Sequence, residues 1–302
     1  MITFYHDIEQ NYDSQADPAE CRRMVDEFLK LEKKYNIPAT YNVVGKLFNQ
    51  QPDLIERIIN EGQEVAFHSF NHQTDWNPQY YSNEIDLCRK VSPIPTGYRS
   101  PRSQINQSAV KTIWEKGFLW SAEGDYHTEP YFIYKGLVRL PITGDDWSLH
   151  MGKVSADKWV RGFLKLLKSR TYIAFGLHDF VASLDPEKIL HAWEKILQIA
   201  VESEALLLNF SEAAELFRRT AMSRYLKVNK INFKTNAFYI TKKWLGVSPH
   251  KLRHSFAVNW LREKGDIAYL SKALGHRYLN TTGEYLKIVP SDVAKELEKI
   301  KF

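Results

Sequence analysis

"EVAFHSFNH", residues 64–72, closes a short apolar run with two histidines four positions apart. The run is too short for a helix and reads as a buried strand bounded by turn residues. A single histidine at a strand end is more often a satisfied structural residue than a ligand. The same arrangement recurs along the chain, however. "MITFYH" (1–6) leads into Asp7 and Glu9, and "TGYRS" (96–100) carries Arg99. "GLVRLPI" (136–142) is followed by Asp145 and Asp146, and "TYIAFGLH" (171–178) ends in His178 before Asp179.

Between these strands lie helical patterns. Over 19–35 the apolar positions Cys21, Met24, Val25, Phe28, Leu31 and Tyr35 keep a helical spacing. "QPDLIERIINEG" (51–62) has Pro52 near its start and Gly62 as a C-terminal cap. Further helices are expected near 82–90, 106–116, 155–169 and 186–203. A last one, "SEAAELFRR" (211–219), takes Ser211 as its N-cap. Repeated strand–helix units imply a parallel sheet covered by helices. With seven or eight strands, the reading is an α/β barrel rather than an open sheet. Chemistry in such barrels gathers at the C-terminal ends of the strands, which is where the acids, histidines and arginine above converge.

The 302 residues are enough for two domains, and a hydrophobic share of 44% with 25% charged residues is that of a soluble globular protein. No apolar run reaches the roughly 20 residues that span a bilayer. The start shows neither the basic nor the apolar region of a signal peptide. Cys21 and Cys88 make no disulfide framework, and a cytoplasmic location is the default expectation. Residues 1–221 hold 25 Lys/Arg and 30 Asp/Glu, and residues 222–302 hold 16 and 6. A mildly acidic body with a basic tail suggests two modules with different partners, the tail a candidate for DNA. The expected division is 1–219, a junction at 220–247, and a helical module at 248–302, with helices near 249–264, 266–274, 280–287 and 291–299.

The order of the rim residues resembles the NodB-type polysaccharide deacetylases, carbohydrate esterase family 4. His68, Ser69 and His72 match that family's H-S/T-x-x-H pair. Arg99, Ser100 and Pro101 match its R-x-P motif. Asp146 and Trp147 match its D-W motif, and Leu177, His178 and Asp179 its L-H-D motif. The resemblance implies a distorted (β/α) barrel and a divalent metal, zinc first, with cobalt, nickel or manganese as alternatives. It implies an acetylated carbohydrate as substrate. Asp7, His68 and His72 would hold the metal. A carboxylate would be the base, oriented by Arg99. His178 would be the acid, held by Asp146. The backbone N–H of Arg102, after Pro101, would meet the oxyanion, and Trp147 would line the acetyl pocket. The family's usual T-F-D-D-G is "TFYHDIEQ" (3–10) here. Alternation along a strand puts Asp7 and Glu9 on one side. Asp7 is read as ligand and Glu9 as its partner acid, the reverse assignment staying open. Small cyclic amides or ureides are the alternative substrates.

"SPHKLRHSFAVNWLREKGDIAYLSKALGHRYLNTTGEYLKI" (248–288) resembles the C-terminal part of the tyrosine recombinases, of phage-integrase and Xer type. His250 and Arg253 fit the H-x-x-R box, "LGH" supplies His276, and "NTTGEYLKI" supplies Tyr285 as the would-be nucleophile. The family's upstream arginine box has no counterpart before Pro249. The resemblance therefore implies a catalytically incomplete, DNA-binding fragment. The alternatives are a site-specific recombination protein using Tyr285, and a tail with only a packing or oligomer role.

Overall fold

The computed structural model describes residues 1–10, 16–72 and 77–228, together with Ala257, Leu261 and Leu270. The chain divides into two compact units, Met1–Ser223 and Arg224–Phe302. In the second unit Ala257, Leu261 and Leu270 are helical and buried. The rest of the helices expected there lies outside the described residues, as do His250, Arg253, His276 and Tyr285.

The first unit is built on strands β1 (Ile2–Ile8), β2 (Ala39–Val43), β3 (Glu64–Phe67), β4 (Gly97–Tyr98), β5 (Trp120–Gly124), β6 (Tyr131–Tyr134), β7 (Leu137–Ile142), β8 (Ile173–His178) and β9 (Leu207–Leu208). Helices α1 (Pro18–Tyr35), α2 (Leu47–Gln50), α3 (Pro52–Asn60), α4 (Pro78–Val91) and α5 (Gln107–Glu115) connect its first half. The second half adds α6 (Trp147–His150), α7 (Ala156–Ser169), α8 (Asp179–Leu184), α9 (Pro186–Glu202) and α10 (Phe210–Val228). Among the described residues no helix is long and apolar enough to cross a membrane.

The sheet order is β6-β7-β5-β4-β3-β2-β1-β8, with β9 also on β1. All pairings are parallel except β6–β7. The sheet curls until the chain after β7 meets β8: Thr143 and Gly144 donate to the Ala174 carbonyl, and Gly176 donates to Gly144. This contact closes the distorted barrel expected from the strand–helix repeats. The β6–β7 hairpin was not anticipated, because "YFIY" is partly buried and has no period-2 alternation.

Strand alternation sorts the core. Ile2, Phe4 and Ile8 of β1 join Phe175 and Leu177 of β8 under α1, α7 and α9. Tyr5, Ala66, Trp120, Ala122, Val138, Leu140 and Ala174 face inward, and Phe210 plugs them from below. Its ring lies 5.0 Å from that of Trp120 and 5.7 Å from that of Tyr5. Phe210 is placed by a reciprocal cap on α10: Glu212 donates its N–H to the Asn209 side chain, and Asn209 donates its own to the Glu212 carboxylate. Asn209, rather than Ser211, is therefore the cap. Ser211 is drawn off to the barrel base, where its backbone N–H, like the hydroxyl of Thr40, donates to the Glu64 carboxylate.

Two glycines mark opposite constraints. A Cβ on Gly97 would lie 1.8 Å from the Trp120 ring, whereas one on Gly162, inside α7, would meet nothing within 4 Å. Gly97→Ala is expected to destabilise the unit by about 1–3 kcal/mol through overpacking. Gly162→Ala should stabilise it by about 0.5–1 kcal/mol through reduced unfolded-chain entropy. Thermal melts of the two variants should move in opposite directions from the parent.

Candidate active site

Register brings the first group together. Asp7 of β1 pairs with Asn42 of β2 on one side and His178 of β8 on the other. Phe67 of β3 pairs with Tyr98 of β4, which sets His68 beside Arg99. The same alternation that points Asp7 and Glu9 inward points His6 outward. His6 lies 2.5 Å from the Glu32 carboxylate and stacks on Phe28 at 4.3 Å, so it is a core residue beneath α1.

The segment 68–72 is not a helical turn. Ser69 and His72 both have left-handed φ, 56° and 60°. The Ser69 hydroxyl accepts the His72 N–H at 2.9 Å. Buried Glu84 of α4 accepts the N–H groups of Phe70 and Asn71 at 3.0 and 2.7 Å and the Asn71 amide at 2.7 Å. This tight turn, not an i,i+4 helix face, brings the two ring centroids to 5.0 Å.

Glu9 stands between them. Its Oε1 lies 3.0 Å from His68 Nε2 and 2.9 Å from His72 Nε2. The His68 Nδ1 lies 3.1 Å from the Arg99 carbonyl, which can only accept, so Nδ1 carries the proton. The His68 Nε2 then offers a lone pair toward a carboxylate oxygen. Two acceptors facing each other at that distance need a proton or a metal ion between them. Two imidazoles and a carboxylate fit a divalent metal ion.

Asp7 is engaged elsewhere. Its carboxylate accepts Arg99 Nε at 2.9 and 2.7 Å and the Asn42 amide at 2.8 Å. The geometry thus groups Glu9, and not Asp7, with the two histidines. Glu9 also falls within reach of a second group, with Asp7 and His178. Burial opposes the charge on Asp7, but the Arg99 guanidinium, with His68 and His178, holds it below the usual carboxylate range. Burial likewise opposes the charge on Glu9, and the contacts with the His68 and His72 rings hold it below the usual carboxylate range.

His178 is fixed by Asp146 through two atoms: its ring Nδ1 at 2.5 Å from Oδ1, and its backbone N–H donating to Oδ2 at 3.0 Å. Its Nε2 is left toward the interior, 3.6 Å from Asp7. Burial works against a charged His178, but the carboxylates of Asp146, Glu9 and Asp7 raise it well above the ordinary histidine value. A cavity of about 530 Å³ opens over these groups. It is lined by every site residue expected in this unit except Pro101 and Asp146, both of which are buried behind it. Arg102 reaches its wall from a 3-10 turn at Pro101–Ser103, with φ 53°. Trp147 stands half-exposed with its ring 6.2 Å from that of His178, and Asp145 caps its N–H at 3.0 Å.

Sequence reasoning missed Asn42, Glu84 and the role of Asp179. The buried Asp179 carboxylate accepts the N–H groups of Glu9, Gln10 and Phe180, and so holds the turn that carries Glu9. Burial pushes Asp179 up to about 7 in spite of these donors. Asn42 was legible as an inward position opposite Asp7. Glu84 carried no signal, being one polar residue on an amphipathic helix.

The polysaccharide deacetylase family profile matches residues 7–118, a span that holds Asp7, Glu9, His68, His72 and Arg99. A peptidoglycan-N-acetylglucosamine deacetylase of Bacillus cereus is 26% identical over 177 residues, covering 53% of this chain and 79% of that protein. The crystal structure of a putative polysaccharide deacetylase from Mycobacterium smegmatis shares the fold, with a TM-score of 0.63 and 21% identity over 73% of this chain and 90% of that one. The first unit is a polysaccharide deacetylase domain. It is of the hydrolase class that acts on carbon–nitrogen bonds in carbohydrates.

The chain also carries a phage integrase segment. That family's profile matches residues 148–291. The early part of the span includes β8, which belongs to the deacetylase sheet by its pairing with β1. The tyrosine recombinase XerA of Thermococcus kodakarensis is 41% identical over 71 residues, 22% of this chain. The chain spans only a quarter, 25%, of that recombinase.

In the deacetylase domain, Glu84 ties down the turn that aims His72. Removing such an outer support typically costs about 10–100-fold in metal affinity. Glu84→Ala is expected to weaken divalent-metal binding within that range while leaving the far-ultraviolet circular dichroism unchanged, as titration against a competing chelator would measure.

Proposed function

We propose that the deacetylase domain removes an N-acetyl group from a carbohydrate, with Glu9, His68 and His72 as ligands of a divalent metal and Asp7 as the base. Two imidazoles with one carboxylate suit zinc, and cobalt, nickel or manganese would satisfy the same donors. A metal ion held there would polarise the acetyl carbonyl and lower the pKa of a water molecule. The observation that carries this assignment is the division of the two acids: Glu9 lies against both imidazoles, and Asp7 lies against Arg99.

The chain's own groups account for the remaining steps. Asp7, kept ionised by Arg99, takes the proton of the attacking water. The backbone N–H of Arg102 donates to the oxygen of the carbonyl under attack. His178, charged through its contact with Asp146, gives its proton to the departing amine nitrogen as the carbon–nitrogen bond breaks. Trp147 walls the space for the acetyl methyl group. Asp7 and His178 line the same cavity, the His178 Nε2 3.6 Å from the Asp7 carboxylate, so proton removal and proton delivery can both serve one bound amide.

The two acids separate experimentally. Glu9→Ala should abolish stoichiometric metal binding and activity together. Asp7→Asn should keep the metal and lower kcat by about 10²–10⁴-fold, the usual worth of a positioned base. Metal analysis beside hydrolysis of N-acetylated sugar oligomers measures both. Loss of metal from Asp7→Asn with retention in Glu9→Ala would reverse the assignment.

For the integrase segment the supported reading is a DNA-binding remnant rather than a strand-cleaving enzyme. It rests on the excess of 16 Lys/Arg over 6 Asp/Glu in residues 222–302 and on the short span of likeness to recombinases. Duplex DNA should be retarded in a gel at low salt and released as salt rises. Tyr285→Phe should leave hydrolysis of the acetylated sugar unchanged. Binding that persists at high salt, or hydrolysis lost with Tyr285, would overturn this reading.

A further inference from the structure

The first 221 residues carry a net charge of −5, yet residues 153–170 hold six cations, Lys153, Lys158, Arg161, Lys165, Lys168 and Arg170, against one acid, Asp157. Four of the six recur at i, i+3, i+7 and i+10 along α7, which places Lys158, Arg161, Lys165 and Lys168 in one stripe. All four are exposed. Among the described residues none of them forms an ion pair, although exposed cations elsewhere on the unit do, as Lys30 does with Glu27 and Arg219 with Glu215. An ordinary solvated helix face interleaves several acids at i,i+4 with its cations; here the single acid at that spacing, Asp157 four residues before Arg161, forms no ion pair with it among the described residues.

The stripe borders a recess. Lys158, Arg161 and Lys165 rim a groove of about 580 Å³ whose floor is apolar, formed by Val154, Trp159, Leu166 and Phe175. Asp145 lines both this groove and the cavity over Glu9 and Asp7. The indole N–H of Trp159 donates to the Asp145 carbonyl at 2.8 Å, so the near end of the stripe is tied to the mouth of that cavity. Lys158 and Lys165 stand two helical turns apart, roughly 10 Å.

The geometry points to an acidic glycan strand as the occupant of this groove: the N-acetylated sugar enters the cavity, and the carboxylates of neighbouring sugars lie along α7. This rests on the deacetylase reading and narrows its substrate to a polymer that carries negative charge. A neutral glycan would have no use for three unpaired cations beside the mouth. A nucleic-acid duplex needs cations on a surface it can lie against, and these rim a recess with an apolar floor.

The test is binding, not turnover, so that it stands apart from the catalytic assignment. The full chain, stripped of metal by chelator, is titrated calorimetrically with an oligosaccharide of alternating N-acetylated amino sugar and uronate. The neutral oligomer of the amino sugar serves as control. Lys158→Gln/Arg161→Gln/Lys165→Gln should weaken the acidic oligomer about tenfold or more and leave the neutral one unchanged. The acidic oligomer should also protect Lys158 and Lys165 from acylation, read by mass spectrometry, with a melting temperature confirming that the variant is folded. Equal weakening of both oligomers, or no weakening of either, overturns the proposal. So does protection of these lysines by duplex DNA but not by the glycan. Glycan binding with no hydrolysis by the metal-loaded protein would sink the deacetylase reading and leave the groove assignment standing.

Discussion

The first unit depends on a buried ion pair. Arg99 enters the barrel interior above the Tyr5 ring, 5.0 Å from its centroid, and meets the fully buried Asp7 carboxylate. Taking either charge out of water unpaired would cost several kcal/mol, so neither can be spared without leaving the other stranded. That necessity fixes the rest of the site. An Asp7 held by Arg99 and Asn42 stays ionised and keeps its place. The carboxylate left to face the imidazoles is Glu9, two residues on and just past the end of β1.

The barrel makes such a pair affordable by supplying a graded interior. At its base Phe210, Trp120 and Tyr5 exclude water. Above them the guanidinium of Arg99 also donates to the Ala122 carbonyl, and the N–H of Ser100 donates to buried Glu123. Only at the mouth do His72, Trp147 and Arg102 reach solvent. The polar groups thus lie between a dry floor and an open rim. There an electrostatic contact is stronger than in water and a substrate can still arrive.

Much of this was legible in the sequence, and the reason is period two. Strand alternation put Asp7, Glu9, His68 and His178 on the inner face, because each follows an apolar run whose inward residues are already fixed by the core. The same rule puts His6, one residue out of phase with Asp7, outside the site. What could not be read was contact that depends on tertiary packing. The turn at Ser69–His72 takes its shape from Glu84, on a helix that follows in sequence. The cap at Asn209 displaced Ser211 because Ser211 has a stronger use at Glu64. The sequence left the roles of Asp7 and Glu9 open because spacing along a strand says which face a carboxylate points to, but not which cation it meets. The order of the motifs likewise led to the recombinase-like residues His250, Arg253, His276 and Tyr285, which lie outside the described residues.

The claim that matters most is that the ion lies against Glu9, His68 and His72 while Asp7 stays with Arg99. Anomalous diffraction from zinc-soaked crystals, recorded on both sides of the zinc absorption edge, addresses it directly. The account predicts a single strong peak within bonding distance of one Glu9 oxygen and both Nε2 atoms, with the Asp7–Arg99 contact intact. A peak bonded to Asp7 with Glu9 turned away, or no peak between the two imidazoles, would contradict it.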